Sequence, residues 1–340
     1  MTSTSIYIRR AIVIMIVAAA TLAAAAQTDA RLTQYWAVPT YYNPGAVGET
    51  DFVRIRGGSR LQWIGIDNAP TTFILTGDTP LKIGKKRIGL GVMMQQEKMG
   101  LYSNLTVGLQ AGYKIKLFKG ELTAAFQIGL LNEKFKGSDV FIPDDDDYHQ
   151  ATDEAIPNTD VGGNALDLGI GAWYIHKYFW AGLSMLHANS PTITFTSTTD
   201  GSTAAGGVTA DGTSAKNFQF QAPRTLYFMA GSNISIKNTL FEVIPSMLVR
   251  SDFTFTTFDI TARLRYNKFI SAGIGYRHND AISAMIGIDF KGFFAGYSFD
   301  YPTTAIAKAS SGSHEIFAGY SLKLDFSEKN KNKHKSIRIL

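Results

Sequence analysis

A two-residue rhythm recurs about fourteen times along this chain, and it constrains the fold more than any other feature. Residues 257–266 show it best: Phe258, Ile260, Ala262, Leu264 and Tyr266 alternate with Thr257, Asp259, Thr261, Arg263 and Arg265. Successive side chains of a strand point to opposite faces, so this segment has one apolar and one charged face. Residues 104–116 repeat it, with Leu105, Val107, Leu109, Ala111, Tyr113 and Ile115 set against Thr106, Gly108, Gln110, Gly112, Lys114 and Lys116. A soluble sandwich can do the same. An even number of such strands, with no long helix and an export signal in front, reads instead as an all-β fold, an antiparallel transmembrane β-barrel of the outer-membrane type.

The export signal is at the start. Arg9 and Arg10 precede an apolar run from Ala11 to Ala24, and Ala24-Ala25-Ala26 before Gln27 is a small-residue cleavage site. The run is shorter than the ~20 residues of a spanning helix, which favours removal over anchoring. Losing Arg9 and Arg10 takes the net charge from +5 to +3, a mild balance that does not point to nucleic acid. Charged residues are 18% of the chain, below the roughly 25% of an average soluble domain. Aromatics are 12%, as the girdles of a barrel wall require. There is no cysteine, which excludes disulfides, thiolate metal sites, cysteine nucleophiles and lipid attached at a cysteine.

Strands are expected near 51–60, 71–79, 87–96, 103–116, 121–133, 164–174 and 178–187. Seven more are expected near 224–234, 240–250, 255–266, 269–277, 281–290, 293–301 and 313–326. The connections provide an independent check. Even-to-odd connections are short and mostly carry lysine: Lys82 to Lys86 with Lys85 between them, Phe118-Lys119-Gly120, His176-Lys177, Lys237-Asn238, Asn267-Lys268 and Lys291-Gly292. Both long insertions, 134–163 and 188–223, fall on odd-to-even connections. Short periplasmic turns opposite longer surface loops give that asymmetry, and it places both chain ends in the periplasm. The first long loop is acidic (Asp144 to Asp147, Asp153, Glu154, Asp160) and the second is rich in Thr, Ser and Gly. Neither has the composition of a packed core, and both are expected to be mobile.

Few residues suggest chemistry. Asp144 to Asp147 offers carboxylates to calcium, but without the spaced ligands and turn glycine of a calcium loop it reads as a solvated run. The histidines at 149, 176, 187, 278, 314 and 334 lack metalloenzyme spacing, and His187 and His314 fall near strand ends where a polar residue needs no special role. His314 lies between Ser313 and Glu315, yet neighbours on a strand face opposite ways and cannot form a relay. Gly89-Leu90-Gly91 and Gly169-Ile170-Gly171 precede no helix and are not phosphate loops. No catalytic residue, metal site or cofactor is therefore expected. Arg54, Arg56, Arg60, Arg263 and Arg265 form either an anion-attracting stripe inside the barrel or a structural network with Asp259, Asp289 and Glu242.

Several segments, in order along the mature chain, carry a family resemblance. They are Gln34-Tyr35 with Tyr41-Tyr42-Asn43-Pro44-Gly45-Ala46-Val47-Gly48, and Gln62-Trp63-Ile64-Gly65-Ile66-Asp67-Asn68-Ala69-Pro70-Thr71. Further on come Arg87-Ile88-Gly89-Leu90-Gly91 with Glu97-Lys98-Met99-Gly100, then Tyr276 to Ser283, and Gly312-Ser313-His314-Glu315-Ile316. The chain resembles the PorP/SprF family, outer-membrane proteins of the type IX secretion system of Bacteroidetes. Family members often have Ala where Gly45 stands and Gly where Asn68 stands. The resemblance implies a non-enzymatic component that assists secretion or surface attachment of cargo such as adhesins, in some cases for gliding motility. Implied partners are periplasmic and outer-membrane components of the machinery (a ring lipoprotein, a peptidoglycan-binding protein), with outer-membrane lipid around the barrel. The turn lysines Lys82, Lys85, Lys86, Lys119, Lys177, Lys237, Lys268 and Lys291, with the basic tail, are the candidate docking face.

The resulting organisation is a signal peptide at 1–26, a family segment at 27–50, the barrel at 51–326 and a basic periplasmic tail at 327–340. Asn43-Pro44-Gly45 and Asn68-Ala69-Pro70 read as turns. Trp63 is expected either at a membrane interface or on a loop packed over the barrel mouth. Two other functions use barrels of this size: a passive channel or hydrophobic-solute transporter, and a surface adhesin working through its long loops. A lumen filled by the arginines and residues 27–50 favours the scaffold reading, and an open polar lumen favours the channel.

Overall fold

The structure, a computed structural model, describes residues 29–84, 86–140, 159–197 and 219–324. The signal segment, the acidic run at 144–147, most of the Thr/Ser/Gly-rich loop and the basic tail lie outside the described residues. The 14 wall strands are antiparallel and close on themselves. The first seven are β1 (Phe52–Leu61), β2 (Thr71–Ile83), β3 (Lys86–Met99), β4 (Tyr102–Leu117), β5 (Gly120–Lys136), β6 (Asp160–Ile175) and β7 (Phe179–Leu186). The others are β8 (Thr225–Ser232), β9 (Phe241–Ser251), β10 (Thr256–Tyr266), β11 (Ile270–Arg277), β12 (Ala281–Phe290), β13 (Phe293–Pro302) and β14 (Ser313–Lys323). Each pairs with its sequence neighbours, and β1 pairs with β14 from Phe52↔Lys323 to Leu61↔His314. Closure leaves no unpaired strand edge facing lipid, where an unsatisfied backbone group is costly.

The alternation decides which face points where. On β12, Ile282, Ala284, Ile286 and Ile288 are exposed on the outer wall, while Ala281, Ser283 and Met285 are buried within. On β10 the outward set is Ile260, Ala262, Leu264 and Tyr266, and Asp259, Thr261, Arg263 and Arg265 point into the lumen. In water such an apolar outer face would be a severe aggregation liability. In a bilayer it is the solvated face.

All fourteen strands fall where the rhythm places them, and both long connections leave the same end of the barrel. The wall is taller than expected beside the first of these: β5 runs to Lys136 and β6 starts at Asp160. The second long loop departs from expectation at its flanks. Thr192–Thr194 pairs with Gln219–Gln221, and Ile193, Phe195 and Ala222 pack with Leu131, Phe135 and Val161 into a small apolar cluster. The tall β5–β6 wall supplies the apolar face that the loop's own composition lacks.

The main core lies inside the barrel. Residues 29–50 form no strand; they enter the lumen and turn through short helical stretches at Tyr35–Ala37, Pro39–Tyr42 and Pro44–Ala46. Leu32, Tyr35, Val38, Tyr41, Tyr42 and Ala46 pack there against Ile74, Met93, Trp173, Tyr227, Leu248 and Phe317 of the wall. The Tyr35 hydroxyl meets Ser246 at 3.0 Å and Thr261 at 3.1 Å, and the Tyr41 hydroxyl donates to Gln95 at 2.8 Å. Those partners stand on β9, β10 and β3, opposite sides of the closed wall, and only a segment within the lumen reaches both.

Residues 29–50 run the length of the lumen. Asp29 lies at the long-loop end, beside His187 just past β7 and Arg250 near the end of β9. The chain then descends to Gly48, whose N–H donates to Asp78 at 2.9 Å, and Asp51 accepts from Leu324 N at 2.8 Å at the short-turn end. The described ends of the chain, Asp29 and Leu324, therefore sit at opposite mouths and not together.

Candidate functional site

The sequence elements singled out above meet in two places: the seat of the lumenal plug, residues 29–50, and the rim where the β1–β2 loop touches β14. The plug is received by wall positions too small to carry a side chain. A Cβ on Gly89 would collide with the Val47 carbonyl, one on Gly171 with the Asn43 side chain, and one on Gly296 with the Gln34 side chain. A Cβ on Gly182 would lie 2.6 Å from Asn43 Nδ2. These are inward strand glycines, and a strand glycine often marks close approach of another backbone. Gly45 of the plug comes close in turn, a Cβ there lying 2.8 Å from the Trp173 backbone nitrogen.

The motif residues Tyr42, Asn43 and Pro44 are the tightest part of this fit. Asn43 Oδ1 accepts from Gly45 N at 2.7 Å, closing the turn that Pro44 begins, while Asn43 Nδ2 donates to the Ala172 carbonyl at 3.1 Å. The Tyr42 carbonyl accepts from Ser184 Oγ at 2.6 Å, and its ring meets Tyr227 edge-on at 5.3 Å. The Tyr42 hydroxyl accepts from Leu32 N at 3.0 Å, tying the two halves of the plug together.

The plug's other half is held by charge. Glu315 accepts from Thr33 N at 2.9 Å and Gln34 N at 2.7 Å, and pairs with Arg60 at 3.3 Å. Asp300 meets the same Arg60 Nη1 at 2.7 Å and accepts from Thr33 Oγ1 at 2.7 Å. Arg277 joins Asp259 at 2.7 Å. Buried charges persist where each is paired and hydrogen-bonded, as here.

At the long-loop mouth His187 lies between Asp167 at 2.8 Å and Asp29 at 2.9 Å, and Tyr227 Oη donates to Asp29 at 2.5 Å. Burial works against charge on Asp29, but the neighbouring His187, then Arg250, hold its carboxyl below the usual carboxylate range. Burial opposes charge on His187 as well, yet Asp29 and Asp167 push the imidazole up to about 10. The result is a clamp on the first described residue of the plug. In the sequence His187 stands only as a polar residue near a strand end. Its partners lie 20 and 158 residues away, and no local pattern announces them.

At the rim, Gln62 N donates to the Pro70 carbonyl at 3.0 Å and closes the loop containing Trp63, Gly65 and Ala69. Trp63 N donates to Ser313 Oγ at 3.1 Å, and Ile64 N to the Gly312 carbonyl at 2.8 Å. Gly65 has φ +100, a conformation that favours glycine. Ser313 thus grips the rim loop and Glu315 grips the plug from one face of β14. His314 faces outward onto Tyr297 Oη at 2.7 Å, so the three form no relay.

The arginines form the structural network, with Glu242 among the partners as expected and others that were not. Arg54 pairs with Glu49 and Asp78, Arg60 with Asp300 and Glu315, and Arg265 with Glu242. Arg56 lies 5.0 Å over the Phe294 ring and Arg263 lies 3.4 Å over the Trp36 ring of the plug. Asp259 serves Arg277 instead. Lys82, Lys86, Lys119, Lys177, Lys237, Lys268 and Lys291 are exposed around the short-turn end; Lys85 lies outside the described residues. The His, Asp and Glu side chains of the described residues form no cluster fit to hold a metal ion.

A closed wall with an apolar outer face and a charged, filled interior defines an outer-membrane β-barrel. A comparison with curated proteins finds no match. Among solved structures the chain is similar to the toluene transporter TbuX of Ralstonia pickettii, at 11% identity and TM-score 0.48, over 85% of this chain and 94% of that one. It is also similar to the Acinetobacter baumannii outer membrane protein Omp33, at 7% identity and TM-score 0.43, over 79% and 97%. The translocator domain of autotransporter NalP from Neisseria meningitidis is 12% identical, with TM-score 0.41, over 79% and 88%. The family described as Type IX secretion system membrane protein PorP/SprF matches residues 24–320, and the chain belongs to that family.

Proposed function

We propose that this protein is a plugged, non-enzymatic scaffold of the type IX secretion system, assisting secretion or surface attachment of cargo proteins and docking periplasmic machinery. The observation that carries the scaffold reading is the plug. A segment seated on wall glycines and held by buried ion pairs at one end is a resident part of the wall's interior, and it occupies the route that a diffusing solute would take. In this reading the long-loop end, with the rim loop 62–70 and β14, faces the cell surface and meets cargo. The short-turn end faces the periplasm, and its ring of exposed lysines takes acidic surfaces of the machinery through charge complementarity.

Tagged full-length protein recovered from outer membranes in mild detergent, followed by mass spectrometry, tests this. Type IX components should follow it, and Lys119→Glu with Lys177→Glu should lower the recovery of periplasmic ones. Recovery of a lone barrel counts against the scaffold. Recovery unchanged by the charge reversals counts against the docking face.

A further inference from the structure

We propose that the outer wall of β3–β5 at the long-loop end binds the phosphate-bearing headgroup of a glycolipid in the outer leaflet. The proposal rests on the orientation adopted above, and it concerns a surface that the plug and the turn lysines do not use.

Residues aligned across these strands change character in three steps. Met94, Val107, Leu130 and Leu166 are in register, point outward and are apolar. Two residues nearer the long-loop end, the row reads Gln96, Leu105, Asn132 and Asn164, with Asn132 Nδ2 donating to Asn164 Oδ1 at 2.6 Å. The next row reads Lys98, Ser103 and Lys134. At about 3.4 Å per residue the lysine row lies ~14 Å along the strands from the apolar row, less in height once strand tilt is included. The wall thus passes from lipid tails, through an amide row, to a cationic row at headgroup depth.

Lys98 and Lys134 stand two strands apart, about 10 Å between backbones, and their flexible stems allow both ammonium groups to reach one phosphate. Both are exposed, and neither forms an ion pair among the described residues. Lys136, one step further out, is already matched by Asp139 at 3.3 Å. The outward positions at this end of other strands, such as Leu61, Met185, Tyr276, Ile282 and Tyr301, carry no charge. Among the described residues, exposed lysines of the outer wall at this end thus come together only on β3 and β5, Arg224 just before β8 being a single cation three strands away, and the lysine pair lies above an apolar surface that faces the acyl chains. An anionic lipid satisfies both surfaces at once, with its tails on the apolar row and its phosphate on the lysines.

Native mass spectrometry of the full-length protein in detergent, titrated with a diphosphorylated disaccharide glycolipid, tests the site. Each near-surface lysine contributes about fivefold to binding an anionic headgroup, so Lys98→Gln with Lys134→Gln should weaken binding roughly 30-fold. The dephosphorylated glycolipid should bind the parent as weakly as the diphosphorylated one binds the double variant. Lys119→Gln with Lys177→Gln at the opposite end should leave glycolipid binding unchanged. Equal binding by parent and double variant, or equal binding of the dephosphorylated lipid, overturns the proposal. So does tighter binding of phosphatidylglycerol than of the glycolipid at this patch. Heat-modifiable migration on gels confirms that each variant is folded. Recovery of secretion components is read separately, so failure of the lipid site and failure of the scaffold reading are distinguishable.

Discussion

Removing the Glu315 carboxylate should free the charged half of the plug while leaving the barrel closed. Its two oxygens accept the Thr33 and Gln34 N–H groups at 2.9 and 2.7 Å. A hydrogen bond to a charged group contributes about 1.5–3 kcal/mol, so the pair contributes roughly 3–6 kcal/mol to docking. Arg60 keeps Asp300 at 2.7 Å, so Glu315→Ala does not orphan its charge. On that scale the undocked fraction of residues 29–37 rises ~10²- to 10⁴-fold. The chain has no cysteine, so a single Ala30→Cys, at a position 4% exposed, reports undocking through its maleimide labelling rate. Labelling should be at least about 100-fold faster with Glu315→Ala than without it, and intermediate with Glu315→Gln, which keeps one acceptor oxygen. Equal rates in all three would falsify the claim that Glu315 holds the plug.

Three further outcomes follow from the same contacts. Gly171→Val places atoms on the Asn43 side chain and should cost about 1–3 kcal/mol by overpacking, read as a lower denaturation midpoint, whereas Gly57→Ala, with its nearest neighbour at 3.5 Å, should be near neutral. The clamp at Asp29 should be tightest in mildly acidic solution and loosen as pH rises. The raised pKa of His187 adds stability that is complete below the imidazole's ordinary pKa and lost as pH rises through about 10. The depressed pKa of Asp29 adds stability lost only as pH falls below the ordinary carboxylate range. Ala30→Cys labelling, divided at each pH by the rate of a fully exposed cysteine to remove the thiol's own titration, should therefore be slowest below the imidazole's ordinary pKa and accelerate progressively as pH rises towards about 10; a normalised rate that stays flat across that window would show that a charged His187 does not hold the clamp. Ser313→Ala removes the acceptor for Trp63 N and should increase proteolysis within residues 62–70 while the plug stays docked; an unchanged cleavage pattern would place the rim loop's anchor elsewhere.

The wall was legible because each strand carries its own instruction. Leu105 to Ile115 and Phe258 to Tyr266 declare an apolar face every second residue, and that face finds lipid whatever the rest of the chain does. Loop lengths then supplied the two ends of the barrel. The plug was legible as a motif and as one of two alternatives for the lumen, but its path and contacts were not. Residues 29–50 have no period, and their fold depends on a cavity assembled from strands up to nearly 300 residues away, as the Thr33–Glu315 bond shows with its separation of 282. Its signal was present in Gly89, Gly171, Gly182 and Gly296, inward strand positions that give up a side chain. Without knowledge of the plug they pass for ordinary wall glycines. The arginines were correctly placed in the lumen, and Arg265 pairs with Glu242 as expected, but most other partners were not legible. Arg60 chose Asp300 and Glu315, residues that only closure of β1 against β14 brings near.

The central claim is that residues 29–50 close the lumen of the intact protein. Planar-bilayer recording of the purified full chain tests it most directly. The account predicts no steady conductance above the lipid background for the parent and openings for Glu315→Ala. Stable, long-lived conductance through the parent protein would contradict it and return the barrel to the passive-channel reading.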